Sequence, residues 1–412
     1  MNVEELVRQS LREQAGEQPP VDAGFADRVL AVRRRRRTRR IASVAAATAA
    51  VVGIAVAVPL LGTGEDDARP AAGLRTDGVQ AHPDQSPPRD VIGAGETVLA
   101  AHYTSALRVR SEKRGTVERT YWLLDAKTGT YKRDSRWSFV AVAPGLRTAA
   151  VLERGLPAHR IGLLDLASGR VERWIPVQHG VGGVAFGHDG SKLVATTYGE
   201  DPDLRTREKT DGPDGRPVWQ WNSAYGRSSR SGFYVLDVAH GTGPWRAVPP
   251  EADIKARQDF AFSRAGDRVY AQYIEGRDGL QQFYSLDGAR TAAPAEEKHL
   301  RSDVPARLSP DGRLAALGLS KEVDGDPGRS YSSIRDPRTG EEITEVRGAE
   351  LLAWADGKRL IAWERVTGLD EPYRPRLVLV TLGSDEVVPL SGVREPDKDI
   401  QRQNWEPVFA RR

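Results

Sequence analysis

From Gly95 onward the chain returns repeatedly to one construction, a tight turn that opens an apolar strand. It reads "GAGETVLAA" at Gly95, "APGLRTAAVL" at Gly145, "GHDGSKLVAT" at Gly190, "SRAGDRVYAQ" at Gly266, "SPDGRLAALG" at Gly312 and "WADGKRLIAW" at Gly357. The steps between these glycines are 50, 45, 76, 46 and 45 residues. A second recurring element lies between them, an apolar stretch closed by Asp-x-x-x-Gly: "WLLDAKTG" (Asp125), "IGLLDLASG" (Asp165), "FYVLDVAHG" (Asp237) and "SIRDPRTG" (Asp336). "FYSLDG" near Asp287 and "LVTLGSDE" near Gly383 occupy the same slot more loosely. Such a unit holds about four short strands, with Asp as turn former and Gly supplying the positive φ that these turns require. A lone unit cannot bury its apolar face, so the units must stack on one another.

A fixed period of about 45 residues and four strands is the pattern of propeller blades around an axis, whereas an antiparallel sandwich has no reason to keep one period. Each turn is preceded by a short apolar strand, as in "FVAVAPG", "GVAFGHDG", "DFAFSRAG", "ARLSPDG" and "LLAWADG". The chain ends in "WEPVFARR" (Trp405 to Arg412), which starts a further unit and stops before its turn. That segment would supply the strand the first unit lacks and remove the exposed sheet edges. The expected fold is therefore all-β, a propeller over residues 91–412 with six blades, or seven if His102–Thr120 pairs unusually. Over that range the chain resembles the TolB-like, WD40-like bacterial propellers whose blades carry "SPDG" turns. "LSPDG" at Leu308 to Gly312 is the nearest match, and "SRAG" and "WADG" depart from it. The resemblance implies a fold and a habit of binding proteins or peptides, and no particular activity, because propellers host many functions.

The other end of the chain is organised by charge. Seven arginines, Arg33, Arg34, Arg35, Arg36, Arg37, Arg39 and Arg40, precede Ile41–Leu61, where the only polar side chains are Ser43 and Thr48. Twenty-one helical residues rise roughly 31 Å, the thickness of a bilayer's hydrocarbon core. The basic flank stays in the cytoplasm, so the expected topology is a single-pass anchor with the N-terminus inside and the propeller outside. The alternatives are a signal peptide cleaved near "AVA" (Ala55 to Ala57) and a nucleic-acid patch. The charge distribution argues against the patch: the chain carries +3, residues 1–40 alone carry +4, and the rest is close to neutral. Arginine in excess of lysine, with abundant Ala, Gly and Val, points to a GC-rich, actinobacterial type of genome. Residues 62–90, rich in Gly, Pro and Asp, read as a flexible linker.

Within the cytoplasmic segment 1–40, "VEELVRQSLREQ" places Val3, Leu6, Val7 and Leu11 on one helical face, and a second helix beginning near Asp22 carries Phe25, Val29 and Leu30. Forty residues cannot bury two such faces alone. This layout resembles the cytoplasmic end of anti-sigma membrane proteins, which implies a sigma factor as partner. The zinc-binding version of that family needs a Cys-x-x-Cys pair, and there is no cysteine here. The alternative is a tail that only sets topology.

No sequence feature supplies chemistry. The absence of cysteine excludes disulfides, thiol catalysis and cysteine-ligated zinc. The seven histidines show no H-x-x-x-H or H-E-x-x-H spacing, and there is no G-x-S-x-G elbow or dinucleotide loop. No catalytic, cofactor-binding or metal-ligating residue is assigned, and the expectation is a binding module of the cell envelope with a protein or peptide partner. A transmembrane regulator of anti-sigma type is the second reading, and a propeller enzyme the third. The one irregularity is the 76-residue step, whose excess lies in Tyr198–Gly232 and brings Trp219, Trp221 and Tyr225 into a polar setting. These aromatics read either as a partner contact on a loop or as a long hairpin packed on a neighbouring blade.

Overall fold

The computed structural model describes residues 78–211, 216–223, 228–250, 257–272, 279–396 and 402–412, and all regular structure among them is β. The expected cytoplasmic and membrane segments, with Val3, Leu6, Val7, Leu11 and the arginine run, lie outside the described residues, as does Tyr225. No helix among the described residues is long and apolar enough to cross a membrane.

The first sheet contains β1 (Val79–Gln80), β2 (Gly93–Ala94), β3 (Thr97–Val109), β4 (Arg114–Asp125) and β5 (Thr130–Asp134). The second contains β6 (Trp137–Val142), β7 (Thr148–Glu153), β8 (Ala158–Asp165), β9 (Arg170–Phe186), β10 (Lys192–Tyr198), β13 (Arg230–Asp237) and β14 (Trp245–Ala247). Its long strand β9 pairs with β8 through Arg170–Pro176 and with β10 through Val181–Phe186, so it ends one four-strand run and begins the next. Between β10 and β13 are inserted β11 (Leu204–Asp211) and β12 (Pro217–Ser223). Three further antiparallel sheets follow: β15 (Ala261–Phe262), β16 (Arg268–Gln272), β17 (Gln281–Ser285) and β18 (Arg290–Thr291); β19 (Ala315–Val323), β20 (Arg329–Arg335) and β21 (Glu342–Arg347); and β22 (Glu350–Trp354), β23 (Arg359–Arg365), β24 (Pro375–Thr381) and β25 (Val387–Pro389).

The chain ends in β26 (Arg402–Arg411), which pairs with β3 from Arg402↔Ala106 to Arg411↔Thr97. This is the closure expected of "WEPVFARR". The core shows that closure from the side. Ile361, Trp363, Leu377 and Leu379 of the last sheet pack with Ile92, Leu99 and Trp405 of the first, and Trp363 and Trp405 meet at 5.1 Å. The opposite face of the last sheet, Leu360, Ala362, Val378 and Val380, packs with Ala316, Ile334 and Val346 of the sheet before it. Similar clusters join the first sheet to β6–β7, and β10 and β13 to β15–β17. Sheets buried on both faces, following one another and sealed by the last strand, are the construction of a β-propeller.

The turn glycines behave as the period requires. Gly95, Gly145, Gly190, Gly266 and Gly312 all have positive φ, as do Gly129, Gly169, Gly241 and Gly340 of the Asp-x-x-x-Gly turns. In the latter the glycine N–H donates to the aspartate carbonyl, at 2.8–2.9 Å, while the carboxylates of Asp125, Asp165, Asp237 and Asp336 accept backbone N–H groups two or three residues on. Those aspartates are turn formers, as read from the sequence. Gly357 of the divergent "WADG" turn does not adopt positive φ.

The structured region begins before residue 91. β1 pairs with β2, the Gln85 side chain is buried and holds Asp90, and Gly392 N–H donates to the Gln85 carbonyl. The stretch expected to be linker is thus docked on the first sheet from Gly78 to Asp90, and only residues 62–77 fall outside the described residues.

Candidate interaction surface

The extra residues between β10 and β13 form the hairpin β11–β12, and this hairpin leaves its own sheet. β10 and β13 pair with each other up to Tyr198↔Arg230, and β11 instead pairs with β4 of the first sheet, Leu204↔Thr116, Arg205↔Gly115 and Thr206↔Arg114. It can do so because β3 and β4 run on beyond their neighbours. β5 pairs only with Tyr121–Asp125, which leaves the other end of β4 open to β11. The tip of β3–β4 is solvent-exposed, with Val109 at 53%.

Register decides which side chains share a face. Arg207 stands opposite Trp221 and Lys209 opposite Trp219, while Glu208 and Gln220 occupy the other face. The cations therefore meet the indoles: the Arg207 guanidinium lies 5.5 Å from the Trp219 ring centre, and the Lys209 ammonium at the same distance. Trp219 is 47% exposed in spite of its size. Trp221 is half-buried because it closes over Gly115; a methyl group there would stand 3.0 Å from Leu107 Cδ1 and 3.4 Å from the Trp221 ring. Trp221 packs the hairpin onto the first sheet, and Trp219 remains open to solvent.

A buried ion cluster anchors the base of the hairpin. Asp203, 3% exposed, accepts two hydrogen bonds from Arg119 of β4, at 2.6 and 3.0 Å, and two from Arg257, at 3.1 and 2.8 Å. Arg257 also donates to Asp259 (2.7 Å) and the Gly182 carbonyl (2.9 Å), and Tyr198 donates to Asp259 (2.8 Å). Burial alone would raise the Asp203 carboxyl, but the guanidiniums of Arg257 and Arg119 outweigh it and hold the group at about 2. For Arg119, burial works in the opposite sense, and the Asp203 carboxylate overcomes it and raises the guanidinium. Every charge in the cluster is engaged, which makes it a structural clamp. The sequence gives no sign of it, since Arg119, Asp203 and Arg257 come from three separate segments.

A concavity of about 750 Å³ is lined by Arg136, Trp137, Glu153, Arg154, Arg170 and Trp174 among others. Its charges are largely used internally: Arg136 binds Asp134, Arg154 binds Glu118, and Glu153 binds Arg160, which stacks on Trp174. Among the described residues no group of three His, Cys, Asp or Glu side chains is placed to hold a metal ion.

No family model matches the chain. It is 25% identical over 171 residues, 41% of its length, to the ribosome biogenesis protein ERB1 of Coprinopsis cinerea, and spans only 20% of that protein. Among solved structures it is similar to TolB from Acinetobacter baumannii, with 16% identity, a TM-score of 0.36, and coverage of 78% of this chain and 68% of that one. It is also similar to Kuenenia stuttgartiensis hydrazine synthase, with 13% identity, a TM-score of 0.32, and coverage of 74% and 80%. A third likeness is to Porphyromonas gingivalis dipeptidyl peptidase 4, with 11% identity, a TM-score of 0.36, and coverage of 73% and 46%.

Proposed function

We propose that this chain is a membrane-anchored binding module of the cell envelope, a six-bladed propeller held outside the membrane by Ile41–Leu61, that contacts a protein partner through the β11–β12 hairpin. The observation that carries the reading is Trp219, a large indole left open to solvent beside two cations on an inserted hairpin whose base is clamped by Asp203. Exposed aromatics on a rigid support are the residues that dominate protein interfaces. Six strand runs support that count: β26–β3–β4–β5, β6–β9, β9–β10–β13–β14, β15–β18, β19–β21 extended by the Leu308↔Ala315 bridge, and β22–β25. Topology rests on the arginine run before the apolar segment. The function proposed is binding and not catalysis.

The test is recovery of partners from envelope fractions by the full chain and by its Trp219→Ala variant. A protein held by the wild type and lost by a variant with unchanged melting temperature supports the reading. Equal recovery by both chains overturns the assignment of the hairpin.

The second reading makes the chain a regulator that holds a cytoplasmic sigma factor through Val3, Leu6, Val7 and Leu11, and the apolar face of "VEELVRQSLREQ" favours it. A peptide of residues 1–40 would then recover a sigma factor, and a Leu6→Asp, Leu11→Asp peptide would not.

A further inference from the structure

The last strand of each run is where a propeller sheet ends, and in this protein nearly all of these strands are guarded. β14 has 3 residues, β18 has 2, and β25 has 3 and ends in proline. β5 reads "TYKRD" and β21 "EITEVR", each with several charges. These are the usual defences of an edge against pairing with another chain. β12 has none of them. It is 7 residues long, reads "PVWQWNS", carries no charge, confines its proline to the first position, and stands last in the order β1-β2-β3-β4-β11-β12. Among the described residues no strand pairs with its outer edge.

We infer that the free edge of β12 takes up an extended, acidic segment of a partner protein as an additional antiparallel strand, the orientation of its pairing with β11. The inference rests on the binding role proposed for the hairpin and names the mode and the chemistry of the partner. Backbone hydrogen bonds along an open edge give affinity without sequence, and alternate side chains give selectivity. Here the alternation is explicit. Trp219 and Trp221 face the same side as Arg207 and Lys209, so a strand laid beside β12 puts every second side chain over that cationic and aromatic face. Carboxylates at those positions match Arg207 and Lys209. Glu208 lies on the opposite face. A second copy of this chain would bring the uncharged "VWQWN" edge against itself and leave the cations unanswered.

The experiment uses the full chain in detergent and four synthetic peptides: an alternating Glu-Val heptapeptide, its Lys-Val counterpart, the Glu-Val peptide N-methylated at alternate residues, and the same peptide methylated at the other set. Only one of the methylated pair removes the N–H groups that would face β12. The expected result is binding of the Glu-Val peptide with a change in tryptophan fluorescence lost in Trp219→Phe, and about tenfold weaker binding by Lys209→Glu. One methylated peptide should fail to bind while the other binds, and added salt should weaken the complex. Equal binding of both methylated peptides would mean face contact without strand addition and overturn the inference. Equal or better binding of Lys-Val, or no binding of any peptide, would overturn it too. So would a sedimentation profile showing a dimer broken by Gln220→Lys, which would make a second copy the occupant. Loss of an envelope partner on Trp219→Ala, with no peptide bound, would sink strand addition alone and leave the binding module intact.

Discussion

His102 allows the closure of the ring to be tested by pH alone. It lies on β3 in register with Pro407 of β26 and Trp122 of β4, stacked on Trp122 at 5.2 Å and edge-on to Trp405 at 5.8 Å. The ring is 1% exposed. Its Nε2 donates to the Pro88 carbonyl, which can only accept, so Nδ1 is the atom a proton must reach in acid, and Nδ1 is buried with no partner. Burial, slightly offset by the Pro88 bond, lowers the imidazole from 6.5 to about 4. A histidine whose folded value lies below its unfolded one binds its proton more tightly in the unfolded chain, so stability is complete above pH 6.5 and falls as pH drops toward 4. The gap, at about 1.4 kcal/mol per pH unit, gives a loss of about 2 kcal/mol by pH 5 and about 3 kcal/mol by pH 4. The assay is urea unfolding of the full chain followed by tryptophan fluorescence at pH 7, 5 and 4, for wild type and His102→Phe, which keeps an aromatic ring and cannot titrate. The variant should lose less stability than wild type by these amounts over the same range. Parallel profiles would show that His102 is not desolvated in the closed ring, and the reasoning would fail. Asp203 does not confuse the measurement, because its folded value of about 2 lies below the model-compound 3.8, and its contribution is lost only below that range.

Two further outcomes follow from the same structure. Asp203→Asn leaves Arg119 and Arg257 buried without their shared carboxylate and should cost about 3 kcal/mol or more in thermal or urea unfolding; a loss under about 1 kcal/mol would show that the clamp is solvated. Gly145 and Gly357 both have open space where a methyl group would go, and only Gly145 has positive φ, +82°. Gly145→Ala should therefore destabilise by about 1 kcal/mol and Gly357→Ala should be neutral or slightly stabilising, so equal melting shifts would refute the link between φ and the repeat.

What is local and repeated in this protein can be read directly from its residues. Turns need Asp and Gly at set offsets, whatever surrounds them, so "LDAKTG" and "SPDG" announce their conformation, and their spacing announces the strand runs. The closing strand was legible for the same reason, since "WEPVFARR" copies the start of a unit and lacks the rest. The linker boundary was missed because Gly78–Asp90 looks like any Pro- and Gly-rich loop; its order comes from Gln85 and β2, which are contacts and not composition. Tertiary structure alone decided where the extra hairpin goes. Nothing in "LRTREKTDG" or "PVWQWNS" states that it joins β4 of the first sheet, because that pairing depends on β4 outrunning β5 and on Gly115 leaving room for Trp221. Likewise the clamp of Arg119, Asp203 and Arg257 joins residues 84 and 54 positions apart. Local rules act over a few residues, and a buried charge finds its partners wherever the closed ring brings them.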